Sequence, residues 1–247
     1  MKPATRSLFM LSISVLAVAA CNRIPTQEST SVIDEAQQTS STLLDWKTSA
    51  AKPPSRAELQ TRAEAGNADA AFQLGIMYYE GKNIPQNYDE AMKWFKTAAD
   101  LGNSQGMFYT GVMYYKALSV PKDVGQATIW FQKASDLGNA HATFDLGTIA
   151  YQDQNYDAAR AFFEKAANAG YGNAQFNLGI MYFKGQGMSP DLQQAETWLI
   201  LAERNGVTKA GQVFLLLRPQ LSPDQMTAAE TQAAAFQPTN RDSDSIN

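Results

Sequence analysis

The sequence predicts an all-α protein built as a solenoid of stacked helical hairpins. The prediction depends on three observations: a segment that repeats four times, two stretches of helical period in each repeat, and polar capping residues at recurring places. The chain has 247 residues, enough for one sizeable core or for a stacked array. Composition alone does not choose between the two, but the repeat favours the array.

Glycines at equivalent places mark the repeat. The starting glycines stand at 66, 102, 138, 170 and 206, spaced by 36, 36, 32 and 36 residues. We therefore set the repeats at 66–101, 102–137, 138–169 and 170–205. Within each repeat a Phe follows six residues after the start and a second glycine nine residues after it: Phe72, Phe108, Phe144 and Phe176, then Gly75, Gly111, Gly147 and Gly179. The third repeat is four residues short between Tyr151 and Tyr156, where a loop is expected.

The first segment of each repeat predicts an inner helix. At 100° per residue its apolar side chains cover nearly the whole circumference, and only the positions three, seven and fourteen residues after the starting glycine stay polar or variable. A helix with so little polar surface has neighbours on most sides. The second glycine lies in mid-helix at a cost of about 1 kcal/mol relative to Ala. Because it recurs four times, we expect a packing reason for it.

The second segment predicts an outer helix with one apolar stripe, formed in the first repeat by Ala91, Trp94, Phe95, Ala98 and Ala99. Short polar residues precede each outer helix where a side chain can cap its free amides: Asn87, Asp123, Asn155 and Asp191. The starting glycine of the next repeat then suits the left-handed turn that ends the helix.

Further helices are predicted at both ends of the array. Residues 57–65 fit an outer helix that caps the front. Residues 206–236 fit two capping helices, an incomplete inner helix over 209–217 and a last helix over 222–236 with Ser222 as N-cap and Pro223 in its first turn. The predicted solenoid thus covers 57–236. The polar residues 237–247 are expected to be disordered.

The repeat pattern A-x-x-x-L-G-x-x-Y-x-x-G, followed by a Pro/Asp loop and A-x-x-W-F-x-x-A-A, resembles the Sel-one-like repeat, a relative of the tetratricopeptide repeat. The resemblance covers 66–205 and implies a right-handed α-solenoid. The chain departs from the pattern at Ala117 and Asp153, which replace the loop glycine seen as Gly81 and Gly185, and at Thr110, which replaces a Leu. These departures affect the expected loop conformation and not the expected fold.

The resemblance also implies a binding surface. In the tetratricopeptide family, ligands are contacted from the variable positions of the inner helices, which line the concave face. Besides Asp69, those positions here hold the candidate site residues Gln73, Glu80, Gln105, Tyr109, Lys116, His141, Asp145, Gln152, Asn173, Asn177 and Lys184. Such a mixed polar groove suits an extended or helical peptide of a partner protein. The alternative is that these residues are only the solvated edge of each helix.

The first residues predict export and lipid attachment. Lys2 and Arg6 precede an apolar stretch over 8–20 that is too short to span a bilayer. Residues 18–21, Val-Ala-Ala-Cys, resemble the lipobox of bacterial lipoproteins, which implies cleavage of the signal peptide 1–20 and an acyl (palmitate) anchor at Cys21. Because Asn22 replaces the Asp that retains such proteins at the inner membrane, we expect the periplasmic face of the outer membrane. An ordinary signal peptide with an incidental cysteine is the alternative. Residues 21–56 then form a flexible tether.

Composition excludes several chemistries. One cysteine and one histidine are too few for a zinc site, and a net charge of −4 with scattered basic residues argues against nucleic-acid binding. The spacing of His141 and Asp145 is that of an acid–base pair, but no nucleophile motif accompanies it. Glu80 and Asp145 could pair as in a glycosidase, but helical repeats do not readily form a deep sugar-binding cleft. The recurring methionines 77, 113 and 181 fit the core. We therefore expect no metal, no cofactor and no catalysis.

The sequence thus predicts a membrane-anchored, monomeric scaffold or adaptor of the bacterial cell envelope that binds a protein or peptide on its concave face. One alternative is a surface-exposed factor that engages a host protein. The other is a cell-wall or β-lactam-related enzyme, suggested by some members of the family. Those members bridge their helices with repeated cysteines, whereas this chain has only Cys21.

Overall fold

The computed structural model describes residues 54–81 and 83–239, and within them it contains eleven α-helices, one 3-10 turn and no strand. The predicted signal peptide, Cys21, nearly all of the tether and residues 240–247 lie outside these residues. None of the described helices is long and apolar enough to cross a membrane. The chain divides into two compact units, residues 54–171 with 238–239, and residues 172–237, and we describe each by itself.

The first unit holds seven helices that pair in sequence. Its front helix is α1 (Arg56–Glu64). Three hairpins follow, each made of an inner and then an outer helix: α2 (Ala68–Glu80) with α3 (Tyr88–Asp100), α4 (Ser104–Lys116) with α5 (Val124–Asp136), and α6 (Ala140–Gln152) with α7 (Tyr156–Asn168). Each outer helix also packs against the next inner helix of the unit. This arrangement confirms the predicted all-α class of stacked hairpins.

The second unit repeats the hairpin once and then closes it. It consists of α8 (Gly172–Lys184), α9 (Leu192–Arg204), the short α10 (Ala210–Leu217), a 3-10 turn (Arg218–Gln220) and α11 (Pro223–Ala235). Helices α10 and α11 both pack against α9. Ser222 caps α11, as its sequence predicts, and the structure adds a capping box with Gln225.

Each mid-helix glycine receives a side chain from the outer helix of its own hairpin. A Cβ added at Gly75 would lie 2.4 Å from Cδ1 of Phe95, and a Cβ at Gly111 would lie 2.7 Å from Cδ1 of Phe131. The third and fourth repeats make the same contact, through Gly147 with Phe163 and through Gly179 with Leu199. The four glycines therefore allow the hairpins to close, and this is the packing reason that their recurrence indicates.

Polar caps begin the outer helices where the sequence places them. The Asn87 carboxamide oxygen accepts hydrogen bonds from the Asp89 and Glu90 amides. Asp123, Asn155 and Asp191 cap the three later outer helices in the same way. These side chains satisfy amides that have no partner within the helix.

The loops after the inner helices show why the departures from the repeat pattern are tolerated. Ala117 takes the left-handed conformation that Gly81 takes one repeat earlier, with φ of 58° and 70° respectively. In the shortened third loop Asp153 does not take this conformation, since its φ is −77°, and Gln154 takes it instead with a φ of 59°. The equivalence of Asp153 with the loop glycine is therefore wrong, because the four-residue deletion shifts the turn by one position.

The expected disorder of the C-terminal tail is wrong for its first residues. The Thr239 amide donates a hydrogen bond of 2.8 Å to the Asn168 carbonyl at the end of α7. Pro238 lies beside the Gly170 turn. This short segment therefore satisfies a carbonyl that the end of α7 leaves without a helical partner.

Candidate protein-binding face of the inner helices

The inner helices leave one polar surface uncovered. We define the inner face of the first unit as the side chains that reach solvent at the positions three, seven and fourteen residues after each starting glycine on α2, α4 and α6. Asp69, Gln73 and Gln152 are exposed, and Glu80, Gln105, Lys116 and His141 are half-buried. On α8 of the second unit Asn173, Asn177 and Lys184 are half-buried.

Tyr109 does not line this face, and its assignment as a groove residue is wrong. Its side chain is 1% exposed. The ring stacks on Phe95 at 4.9 Å between centroids and packs edge-on against Tyr79 and Phe108 at 5.7 and 5.3 Å. The position that holds Gln73 in the first repeat here holds an aromatic ring, which gains more from burial than from solvation.

Asp145 is also buried, with only 5% of the residue exposed. Its negative charge acts on Lys116 of the preceding repeat. Burial lowers the pKa of the Lys116 ammonium, and the Asp145 charge opposes that shift. Asp145 therefore couples α6 to α4 electrostatically, a role that differs from contact with a ligand.

Hydrogen bonds between repeats explain why the position three residues after the starting glycine is polar in the first two repeats. The carboxamide oxygen of Asn103 caps α4, and its nitrogen donates to Asp69 of the previous inner helix at 2.9 Å. Asn139 caps α6 and donates to Gln105 in the same way at 3.1 Å. Sequence reasoning missed these bonds, although the Gly-Asn pair at the start of the first three repeats was the signal for them.

His141 occupies the equivalent position in the third repeat and has aromatic neighbours. The next repeat has Tyr171 where an Asn would stand, and the two rings meet edge-on at 4.8 Å. Phe108 lies 5.8 Å from the imidazole, and Phe144 lies 5.1 Å from Tyr171. The predicted pair of His141 and Asp145 therefore lies among packing contacts.

The other end of the inner face is held by a further bond between repeats. The Tyr115 hydroxyl on α4 donates to the Gln152 amide oxygen on α6 at 3.2 Å. Lys122 lies over the Tyr115 ring at 5.1 Å. Bonds at both ends thus fix the spacing of the inner helices, so the exposed side chains of successive repeats stand at set distances.

One cluster has the residue types of a hydrolytic site. Ser135 Oγ lies 3.0 Å from Lys165 Nζ and 2.7 Å from Thr143 Oγ1. Ser135 is only 1% exposed and lies in the last turn of α5, where its carbonyl also accepts from Lys165. A hydroxyl so covered does not reach a substrate, and the ammonium instead complements the C-terminal end of the helix dipole. Within the described part of the chain no group of His, Cys, Asp and Glu is arranged to hold a metal.

Comparison with known proteins identifies the repeat. The Sel1 repeat profile matches residues 68–103, 104–139, 140–171 and 172–207. These boundaries lie two residues after those set from the starting glycines. No curated protein matches the chain.

Several solved structures are similar to this chain. The Sel1 repeat protein from Oxalobacter formigenes is 23% identical with a TM-score of 0.64, over 91% of this chain and 94% of that protein. An immunity protein from Pseudomonas aeruginosa is 18% identical with a TM-score of 0.50, over 87% and 85%. A protective antigen of uropathogenic Escherichia coli strains, which displays an SLR fold, is 25% identical with a TM-score of 0.47, over 73% of this chain. This chain spans 48% of that antigen's length.

The four matched ranges cover more than half of the sequence and coincide with the four observed hairpins. Sel1 repeat proteins are protein-interaction scaffolds and are generally non-catalytic. The observed helical hairpins and their polar inner face are those expected of this family. The chain therefore belongs to the Sel1 repeat family.

Proposed function

We propose that this protein is a lipid-anchored scaffold of the bacterial cell envelope and that it binds a partner protein through the inner face. One observation above all supports the binding surface. The inner helices bury their apolar side chains in hairpin packing, and the inner face is the part of them that keeps polar side chains in reach of solvent. The chemistry of that face changes from repeat to repeat while the hairpin geometry is constant.

The variation gives the surface its selectivity. Along the first unit the inner face presents two carboxylates and an amide on α2, an amide and an ammonium on α4, and an imidazole and an amide on α6. No single charge dominates, so a partner is selected by its pattern of hydrogen bonds and not by its net charge. An extended or helical segment that crosses successive inner helices meets each of these groups in turn.

Capture of the partner from membranes tests this proposal. The variant Gln73→Lys places a charge on an exposed position of the inner face and leaves the Tyr115–Gln152 bond in place. The matched control, Gln60→Lys, makes the same change at an exposed position on α1. We expect the inner-face variant to lose the partner at least tenfold and the control to retain it. Equal capture by both variants would place binding elsewhere on the molecule.

The anchor is a second part of the proposal, supported by the short apolar stretch and the small residues before Cys21. Several acyl chains at that cysteine would hold the protein to a membrane stably. We expect radiolabelled palmitate to be incorporated into the wild type and not into Cys21→Ser. We also expect wild type in the outer-membrane fraction and Cys21→Ser in the soluble periplasmic fraction. Outer-membrane fractionation of both proteins alike would refute the anchor and leave the inner-face proposal intact.

A further inference from the structure

The last helix, α11, lies against a surface of α9 that the earlier outer helix α3 leaves to solvent. The Thr197 hydroxyl on α9 donates to the Gln232 amide oxygen on α11 at 3.3 Å, and the Trp198 and Phe236 rings meet edge-on at 5.7 Å between centroids. Thr197 is 3% exposed. The equivalent position on α3, 27 residues after the starting glycine, holds the exposed Lys93. The repeat hairpin therefore does not require α11 to cover this surface.

The contact that holds α11 in place is small. Of its thirteen residues only Ala229 and Ala233 are buried, and alanine removes little apolar surface from water. A further contact is polar, because the Arg204 guanidinium on α9 donates to the Ala233 carbonyl at 2.8 Å. A helix with so few buried apolar contacts separates locally at a lower free energy than the hairpin against which it lies.

A buried carboxyl group lies where the chain turns into α11. We define the closing segment as the 3-10 turn and α11, residues 218–235. Glu196 on α9 is 1% exposed, and its Oε1 accepts a 2.7 Å bond from Arg218 Nε at the start of the closing segment. Its other oxygen, Oε2, is buried and meets no hydrogen-bond donor in the described part of the chain. An ionised carboxylate that is buried with one oxygen unsatisfied is costly.

The charges around Glu196 do not offset this cost fully. Glu230 on the closing segment and Glu203 on α9 repel a negative charge there, whereas Arg218 attracts it. Helix α10 has no charged side chain, and the one charged side chain of α8, Lys184, lies in its last turn. Burial, together with the two carboxylates, therefore raises the pKa of Glu196 despite the bond to Arg218.

We propose that a proton on Glu196 holds the closing segment against α9 and that loss of this proton lets the segment separate. The protonated group needs no opposite charge in its buried position, whereas the ionised group regains its hydration when the segment leaves. Because the pKa of Glu196 is raised in the closed form, closing is strongest below about pH 4.3, the usual pKa of an exposed Glu, and weakens as pH rises toward the raised value. One proton changes the opening constant by at most about tenfold per pH unit. Separation uncovers Thr197 and Trp198 on α9.

Hydrogen exchange of the purified full chain, followed by mass spectrometry, tests this proposal. The protection of α11 is compared with that of α8 between pH 4.5 and 7.5, after the intrinsic pH dependence of amide exchange is divided out. At pH 7.5 we expect α11 to be at least about tenfold less protected than α8, because the closing segment separates while the hairpin stays folded. Toward pH 4.5 we expect the protection of α11 to rise at least about fivefold.

Two variants show whether Glu196 is responsible. Glu196→Gln removes the titrating group and keeps an oxygen that can accept from Arg218. We expect its α11 to be equally protected at both pH values and better protected than in the wild type at pH 7.5. The matched control, Glu203→Gln, removes an exposed carboxylate from the same helix and should keep the pH dependence.

Three results would overturn the proposal. In the wild type these are an α11 as protected as α8 at pH 7.5, or an α11 whose protection does not change with pH. Both are measured without any variant, so the test does not depend on how Glu196→Gln folds. The third is an equal pH dependence of α11 in Glu196→Gln and in the wild type, which would assign the proton to another group.

Discussion

The contact between Gly75 and Phe95 gives the sharpest prediction about stability. A Cβ at position 75 would lie 2.4 and 2.5 Å from two atoms of the Phe95 ring, where ordinary contacts begin at 3.4 Å. The ring would have to move by about 1 Å, but it is fully buried and stacks on Tyr109 at 4.9 Å. Overpacking of this kind destabilises a protein by about 1 to 3 kcal/mol. Against this, Ala in a helix interior is more favourable than Gly by about 1 kcal/mol. We expect Gly75→Ala to lower the free energy of unfolding by about 1 kcal/mol, the middle of the difference between these two terms.

A second substitution identifies the ring as the cause. The fourth repeat pairs its glycine with Leu199 instead of Phe, so Phe95→Leu should make room for the methyl group that Gly75→Ala introduces. In urea unfolding followed by circular dichroism, we expect Gly75→Ala with Phe95→Leu to be more stable than the sum of the two single changes by about 1 kcal/mol.

The control for these changes is Gly211→Ala on α10, because a Cβ there meets nothing within 4 Å. We expect this variant to be as stable as the wild type or more stable. Two results would refute the reasoning. One is a Gly75→Ala protein as stable as the wild type, and the other is strict additivity in the double variant.

Three further predictions concern other sites. Ala117→Gly should stabilise the protein by about 1 kcal/mol in urea unfolding, because Ala117 is held at a φ of 58° that L-residues adopt at a cost. Burial, together with the neighbouring tyrosines, raises the pKa of Tyr79 to about 12, so the folded state resists its ionisation and stability should fall between pH 10 and 12. Tyr79→Phe should show a smaller fall over that range. Burial raises the pKa of Glu196 despite its 2.7 Å bond to Arg218, so the stability contributed by its protonated form is present at low pH and lost as pH rises. Glu196→Gln should therefore unfold at higher urea than the wild type at pH 7, because Arg218 stays partly solvated, and this advantage should shrink toward pH 4.

The hairpins could be predicted from the sequence because each depends on residues that recur in register. A glycine that costs helix propensity at four equivalent positions implies a neighbour that needs the space, and the neighbour is the aromatic or Leu side chain of the outer helix. The N-caps of the outer helices could be predicted equally well, because Asp123 and its equivalents directly precede a segment with one apolar side. These are local signals that need no knowledge of the neighbouring repeat.

The inner face was predicted less well because its exposure depends on contacts between repeats. Tyr109 and Asp145 occupy the same position as Gln73 and yet are buried. Tyr109 is covered by rings from the preceding repeat, such as Phe95. Asp145 interacts electrostatically with Lys116 of the preceding repeat. A rule that treats each repeat alike assigns all three to the surface. The signal in the sequence that Tyr109 is buried is its aromatic ring, which stands at a position that is polar in the other repeats.

The central claim is that the inner face, and not the outer face, contacts the partner protein. The most direct measurement places a photo-crosslinking amino acid at Gln73 on α2 and, separately, at Lys96 on α3 of the same hairpin, since both positions are exposed. In cells that contain the captured partner, the account predicts a crosslinked product from position 73 and none from position 96. A product from position 96 with none from position 73 would contradict it and assign the partner to the outer helices.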